Sequence, residues 1–344
     1  MDWTQLDWTI LDRLREKFLS GTAAAGPYWE SAADLAAYDA TYGARIGWKW
    51  DAVLSELQLR GWRPARGSAA TGRLTVLDWG CGSGVAGRHV TAFLGAENVA
   101  ALQLWDHAPM AVSYAAERAR QLFPALETQP WQDTGGPVDV LVLSHVLNEL
   151  QPDALARLGR LVGRAGAVLW VEPGTHETSR RLQAWREEWR STFQVVAPCP
   201  HAGPCGLLTP GNERHWCHHF APPPPGIFAD GNWVRFGQRA GIDLRSLPYS
   251  FLVLDRTAAA PPAGIARVIG RADVSKVGAR VLSCEAEATG DLTVPKRTAA
   301  ALVRQLDRAK GPRLYRWHRE GNRVTGGEPA FPPPVKTADP RANA

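Results

Sequence analysis

An α/β protein built on a doubly wound, mainly parallel sheet is the fold this sequence predicts, and three observations predict it. Short apolar runs alternate with helical stretches from Leu74 to Val171. A glycine-rich turn, Gly80-Cys81-Gly82-Ser83-Gly84, follows the first of these runs. Two acidic residues, Asp78 and Asp106, close successive runs. Strands and helices alternating at this spacing form parallel sheets, which bind ligands beyond the carboxyl ends of their strands.

In chain order, residues 1–70 read as a helical N-terminal cap. Leu11, Leu14 and Phe18, then Leu54, Leu57 and Leu59, fall near helical spacing, with a break at Gly21 to Pro27. The aromatics Tyr28, Trp29, Tyr38, Tyr42, Trp48 and Trp50 are expected to pack the cap on the next domain. That domain spans 71–258. Its strands are expected at Leu74–Asp78, Val99–Trp105, Val138–Leu143, Ala167–Val171 and Phe251–Leu254. Helices are expected from Val85, through Tyr114 and Ala119, around Leu155–Val162 and near Trp233–Ala240. Between them lies an insert, 196–230, without periodicity. An irregular stretch of this length needs something else to order it. Residues 259–325 form a small C-terminal module with β-like runs at Ala266–Ile269, Ala279–Leu282 and Leu292–Val294 and a helix near Ala299–Ala309. The Pro-rich tail, 326–344, is expected to be disordered.

Composition narrows the function classes. With 45% hydrophobic and 21% charged residues among 344, the chain is expected to be globular. No charge-free apolar run is long enough to span a membrane, and the acidic, apolar N-terminus lacks the features of a targeting signal. A cytoplasmic protein with no membrane partner is therefore expected. Net charge is +5, but between Pro262 and Val324 thirteen basic residues face six acidic ones. That basic module suits a polyanion such as RNA, with Arg267, Arg271 and Arg280 as candidate phosphate contacts. A solvated Arg-rich surface is the plainer alternative.

The glycine loop has a physical logic. Its glycines permit positive φ and a close backbone approach to a ligand, and the following helix start offers free N–H groups. Its spacing differs from the G-x-G-x-x-G dinucleotide fingerprint. An acid at the second strand end, Asp106, can take the two hydroxyls of a ribose. Asp78, Gly80, Gly82, Gly84 and Asp106 together resemble the class I S-adenosylmethionine-dependent methyltransferases, with their Rossmann-like sheet. By that resemblance Asp78 would orient the methionine part of the cofactor, Gly80, Cys81, Gly82 and Gly84 would line it, and Asp106 would bind ribose. Asp133 would reach the adenine amino group, and Ser144, at the end of the fourth strand, is counted with the cofactor residues. The Pro-Pro-aromatic motif of amino methyltransferases is absent; Ser144-His-Val-Leu-Asn-Glu-Leu150 stands there. No catalytic residue is assigned, and His145 is open as a general base or a pocket wall.

Four cysteines lie outside that loop. Cys199, Cys205 and Cys217 crowd one Pro/Gly/His-rich segment beside His201, His215, His218 and His219, and Cys284 lies in the basic module. Four thiolates suit tetrahedral zinc or an iron–sulfur cluster, and the histidines keep a mixed zinc site open. Buried, unligated cysteine is the plainer reading, but a loop of this composition offers little core.

The stretches Ser144–Leu150, Val171-Glu-Pro-Gly174, Cys199-Pro-His-Ala-Gly-Pro-Cys205, Trp216-Cys217-His218 and Ala266-Arg-Val-Ile269 resemble one family. It is the small-ribosomal-subunit methyltransferase-like proteins, mitochondrial and bacterial, and the resemblance covers roughly residues 70 to 300. It implies a class I methyltransferase fold carrying a [4Fe–4S] cluster on Cys199, Cys205, Cys217 and Cys284. It also implies a role in assembling the small ribosomal subunit in contact with its RNA, here as an expected monomer. Two other functions stay open. One is an active methyltransferase on ribosomal RNA or protein; the other is a small-molecule methyltransferase with a structural zinc site.

Overall fold

In a computed structural model of the chain, residues 3–20, 29–68, 70–309 and 311–331 are described. The first helix, α1 (Trp8–Leu19), starts where Asp7 accepts the Thr9 N–H and buries Leu11 and Leu14. Ser31 caps α2 (Ala32–Tyr38) through the Asp34 N–H. A π-helical turn, Asp39–Gly43, leads without a break into α3 (Ala44–Leu59). Such turns are rare and occur often at functional sites. The break expected at Gly21–Pro27, and Tyr28, lie outside the described residues.

The central sheet comprises β1 (Leu74–Trp79), β2 (Val99–Trp105), β3 (Glu127–Pro130), β4 (Val138–Ser144), β5 (Ala165–Pro173), β6 (Gln194–Ala197), β7 (His219–Phe220) and β8 (Pro248–Asp255). Its order is β3-β2-β1-β4-β5-β8-β6, with β7 beside β8. The first five strands are parallel, and β8 runs antiparallel between β5 and β6. This is the doubly wound sheet that the sequence predicts. The crossover helices are α4 (Val85–Leu94), α5 (Pro109–Leu122), α6 (Pro152–Val162) and α7 (His176–Trp189), and α8 (Gly231–Ala240) precedes β8. Leu102, Val140, Val142 and Leu169 face α3 to α5 on one side. Leu141, Leu143 and Trp170 face Leu158 and Leu161 of α6 and Leu182 of α7 on the other. The apolar runs of β1, β4 and β5 are continuous because both faces of these strands are covered.

The insert is largely irregular, as expected, and the order comes from neighbouring side chains. Arg180 of α7 donates to the carbonyls of Leu207 (3.0 Å), Asn212 (3.3 Å) and His215 (3.0 Å). Trp216 Nε1 donates to the Gly174 carbonyl and Ser250 Oγ to that of Cys217, both at 2.9 Å.

Beyond Gly264, β9 (Ala266–Val274), β10 (Gly278–Cys284), β11 (Thr289–Pro295), β12 (Leu314–Glu320) and β13 (Arg323–Pro329) close into a barrel in the order β10-β11-β13-β12-β9. Helix α9 (Lys296–Arg308) buries Leu302, Val303 and Leu306 against its core. The expected boundary of the module at residue 325 is too early, since β13 pairs with β12 as far as Pro329, opposite Tyr315. Residues 326–329 are therefore strand rather than tail, and 332–344 lie outside the described residues. The barrel docks through Arg267, which is 2% exposed, ion-pairs with Glu56 of α3 and donates to the Pro198 carbonyl.

Candidate functional site

The turn after β1 is shaped by its glycines. Gly80, Gly82 and Gly84 take φ of 73°, 50° and 76°, the left-handed region that side chains disfavour. A Cβ on Gly80 would stand 2.7 Å from Val146, and one on Gly84 2.7 Å from Ala115, so both positions are sterically closed. Gly82 is different: its nearest neighbour would be Trp29 at 4.0 Å, which leaves space above the loop. The Gly82 N–H donates to Asp106 Oδ2 (2.9 Å), while Asp106 Oδ1 accepts the Ala108 N–H (2.9 Å). Each oxygen keeps a free lone pair. Asp78 is fully buried; Oδ2 accepts the Gly87 N–H at 2.8 Å and Oδ1 has no partner. Burial pushes its carboxyl up to about 7, opposed by the Gly87 bond and Arg88. A buried carboxylate with one orphan oxygen fits a cationic group such as an amine, and Asp106 fits a vicinal diol.

The N-terminal cap packs over this turn. Arg88 of α4 pairs with Asp39 of the π turn (2.6 Å) and donates to the Ser83 carbonyl (2.5 Å). Trp50 Nε1 donates to Ser144 Oγ at 3.1 Å. One residue before Trp50, Lys49 Nζ lies 3.0 Å from His145 Nε2. Both side chains are half-buried, so they are hemmed in yet reachable. His145 is the one non-glycine residue with positive φ, 59°, among the described residues. Strain of that kind concentrates at functional sites. Burial lowers Lys49 to about 7, helped by Arg45, and pushes His145 well below its ordinary range, helped by Lys49. Beneath them Glu172 is sealed, with Oε1 accepting from Val146 N, Leu147 N and Trp170 Nε1 and Oε2 unpartnered. Burial raises Glu172 to about 7 and Glu149 to about 8, the latter also through Asp106 and Glu172.

On the far side of β5, a cavity of about 30 Å³ is lined by Cys199, Cys205, Cys217 and Cys284 together with Arg186 and Arg267. Burial pushes the thiols of Cys205 up to about 11, of Cys284 up to about 12 and of Cys217 well above the ordinary range, each increased further by Cys199. His201 Nε2 lies 3.5 Å from Cys284 Sγ, and His219 Nε2 3.7 Å from Cys217 Sγ. Among the described residues no three His, Cys, Asp or Glu side chains are grouped so as to hold a metal ion.

The structure therefore gathers Asp78, Gly80, Cys81, Gly82, Gly84, Asp106 and Ser144 at the neighbouring carboxyl ends of β1, β2 and β4, and the four remaining cysteines around one cavity. Cys81 is a packed thiol raised by burial. Asp133 does not join the first group: it is exposed and held by Arg164 (2.9 Å) and the Gly135 N–H (3.0 Å). Arg267, expected among the phosphate contacts, is buried in its ion pair with Glu56 and cannot meet RNA. Lys49, Glu149 and Arg186 were not singled out by sequence. A lysine between two tryptophans, Trp48-Lys49-Trp50, is the one local signal that could have marked Lys49.

A family model described as mitochondrial small ribosomal subunit Rsm22 matches residues 79–320. No curated protein matches the sequence. Among solved structures, a putative RNA methyltransferase from Pyrococcus horikoshii is 15% identical, with a TM-score of 0.29, over 36% of this chain and 59% of that one. Magnesium protoporphyrin IX methyltransferase from Synechocystis PCC 6803 with bound SAH is 13% identical over 72% of this chain and 100% of that one, at a TM-score of 0.38. The plantazolicin methyltransferase BpumL with SAH is 12% identical over the same shares, also at 0.38. The strand order, rather than these distant likenesses, carries the fold.

Proposed function

Because the chain belongs to the Rsm22 (mitochondrial small ribosomal subunit) family, we propose that it is a methyltransferase-like protein that binds S-adenosylmethionine and a [4Fe–4S] cluster. In this reading it binds ribosomal RNA and assists assembly of the small ribosomal subunit. The observation that carries it is the meeting of Cys199, Cys205 and Cys217 of the insert with Cys284 of the barrel around one cavity. Four sulfur donors, apolar walls and two arginines to offset thiolate charge support this reading by residue type, while among the described residues no three of these side chains are grouped closely enough to hold a metal ion. The cluster, when bound, would brace the insert against the barrel. The pocket fits the cofactor through the orphan Asp78 oxygen, the space over Gly82 and the free lone pairs of Asp106. The cofactor, when bound, supplies an electrophilic methyl group. Cap residues Trp29 and Trp50 would screen it from water.

The test is anaerobic purification with iron, sulfide and zinc analysis and a visible spectrum. About four irons and four sulfides per chain, lost in Cys205→Ser, are expected. One zinc and no iron would replace the cluster by a structural zinc site.

A second reading, an active methyltransferase on ribosomal RNA or protein, is favoured by the Lys49–His145 pair. Lys49, lowered by burial to about 7 and so partly neutral at neutral pH, can take the proton that a nitrogen or oxygen acceptor gives up as it gains a methyl group. Lys49→Met is then expected to slow transfer to small-subunit particles by on the order of a hundredfold, while cofactor affinity by calorimetry stays unchanged. Equal turnover in both proteins would leave the pair a pocket wall.

A further inference from the structure

We propose that the open half of the β10–β11 face, between the β9–β10 and β12–β13 turns, binds the phosphate backbone of single-stranded RNA. The proposal rests on the RNA-binding reading above and names its surface. The connectivity is the starting point. Three antiparallel strands, a helix after the third, a fifth strand parallel to the third and a fourth closing on the first make an OB-type barrel. In such barrels the second and third strands, with the turns joining strands one and two and strands four and five, take oligonucleotides. A fold alone assigns no function, so the residues decide.

Ala279, Val281, Leu292, Val294 and Val324 fill the barrel core, so Arg280 and Thr293, both exposed, and Arg323, half-buried with its Nε sealed and unpartnered, alternate onto the outer face. Pairing sets Thr293 opposite Arg280 on one side and Arg323 on the other. With strands about 4.8 Å apart, the three make a row roughly 10 Å across. Thr293 N donates to the Asn322 carbonyl at 2.9 Å, which holds the β12–β13 turn beside the row. At the other edge, Lys276 and Val277 form the tip of the β9–β10 turn, with Val277 81% exposed. Lys296 N donates to the Val277 carbonyl at 2.9 Å, which brings Lys296 and Arg297 alongside.

Among the described residues, the ion pairs reaching the barrel strands are Arg267–Glu56, Arg214–Asp291 and Arg319–Glu285. Lys276, Arg280, Lys296, Arg297 and Arg323 take part in none of them. Asp273, opposite Arg280, and Glu320, opposite Arg323, are the carboxylates nearest the row in register, and they leave the patch positive. The other half of the face is covered. Leu282 and Cys284 pack on Leu207 and Ile269, and Thr289 lies 2.4 Å from where a Cβ on Gly206 would stand. A strip this narrow fits one strand's backbone rather than successive grooves of a duplex. No aromatic side chain belongs to it, so binding is expected to be sequence-tolerant and strongly salt-dependent.

The test measures binding of full-length protein to an oligouridine of about 12 nucleotides and to a duplex of the same length, by fluorescence anisotropy across a salt series. Arg280→Ala with Arg323→Ala is expected to weaken oligouridine binding about tenfold or more and to flatten the salt slope by about 1.4. Arg280→Lys with Arg323→Lys is expected to retain most of the affinity, which separates lost charge from lost fold. Arg304→Ala with Arg308→Ala, an equal charge loss on α9, is expected to change little. If the wild type binds RNA and the first pair has no effect, or the α9 pair has as large an effect, this face is not the site. Preference for the duplex overturns the single-stranded assignment. No RNA binding at any salt removes the broader reading as well.

Discussion

Asp78 and Glu172 are buried and Glu149 is half-buried, and among the described residues none of the three has a lysine or arginine salt bridge. Burial raises them to about 7, about 7 and about 8. Each then holds a proton in the folded chain that it loses in the unfolded chain over the range from about 4 to 7 or 8. The stability they contribute is full below the ordinary carboxylate range and is lost as pH rises through the folded values. Lys49, lowered to about 7, acts in the opposite sense only above that pH. The ligand-free protein is therefore expected to lose thermal stability between about pH 5.5 and 8. Glu149→Gln should flatten that loss by on the order of 1–2 kcal/mol, as read by thermal denaturation at each pH. An unaltered slope would show that Glu149 titrates normally.

At the scale of elements, what the sequence disclosed tracks burial. Strands β1, β2, β4, β5 and β8 were legible because strands covered on both faces read as apolar runs. Strand β3, Glu127-Thr-Gln-Pro130, lies at the sheet edge with one buried residue and gives no such run. Strand β12, Leu314 to Glu320, turns its charged residues outward from a small barrel and reads as polar. Helix α7 hid for another reason: its buried face carries Thr178, Ser179, Gln183 and Arg186 beside Leu182, since it supports the insert as well as covering the apolar sheet. The glycine loop and the cysteines were legible because rare residue types mark them. The Lys49–His145 pair was not, because it forms only when α3 crosses the end of β4, 96 positions further on in the chain.

For the whole molecule, the two halves are joined by charge as well as by packing. Arg267 of β9 and Arg60, which caps the end of α3, share Glu56, and both donate to the Pro198 carbonyl at the entrance to the insert. Breaking a buried pair leaves an uncompensated charge. Glu56→Leu, which strips both buried guanidinium groups of their shared carboxylate, is expected to destabilise the protein by about 3–5 kcal/mol, whereas Arg267→Met, which leaves Glu56 paired with Arg60, is expected to cost less. Thermal unfolding of the two variants decides: equal destabilisation would mean that packing of the barrel, not its charge, is at stake. The same junction places Cys284 four residues from Arg280 on β10, so the sulfur cavity and the basic strip share one strand.

The cavity's fourth thiol also has a date of manufacture. Cys284 follows Cys217 by 67 residues, so at ordinary rates of synthesis it emerges roughly 3–13 s later. Until then the insert has three sulfurs and an open side. A chain cut short before β10 therefore lacks the last wall of the cavity. Only a finished chain can close the junction, which makes that closure a record that translation reached the barrel.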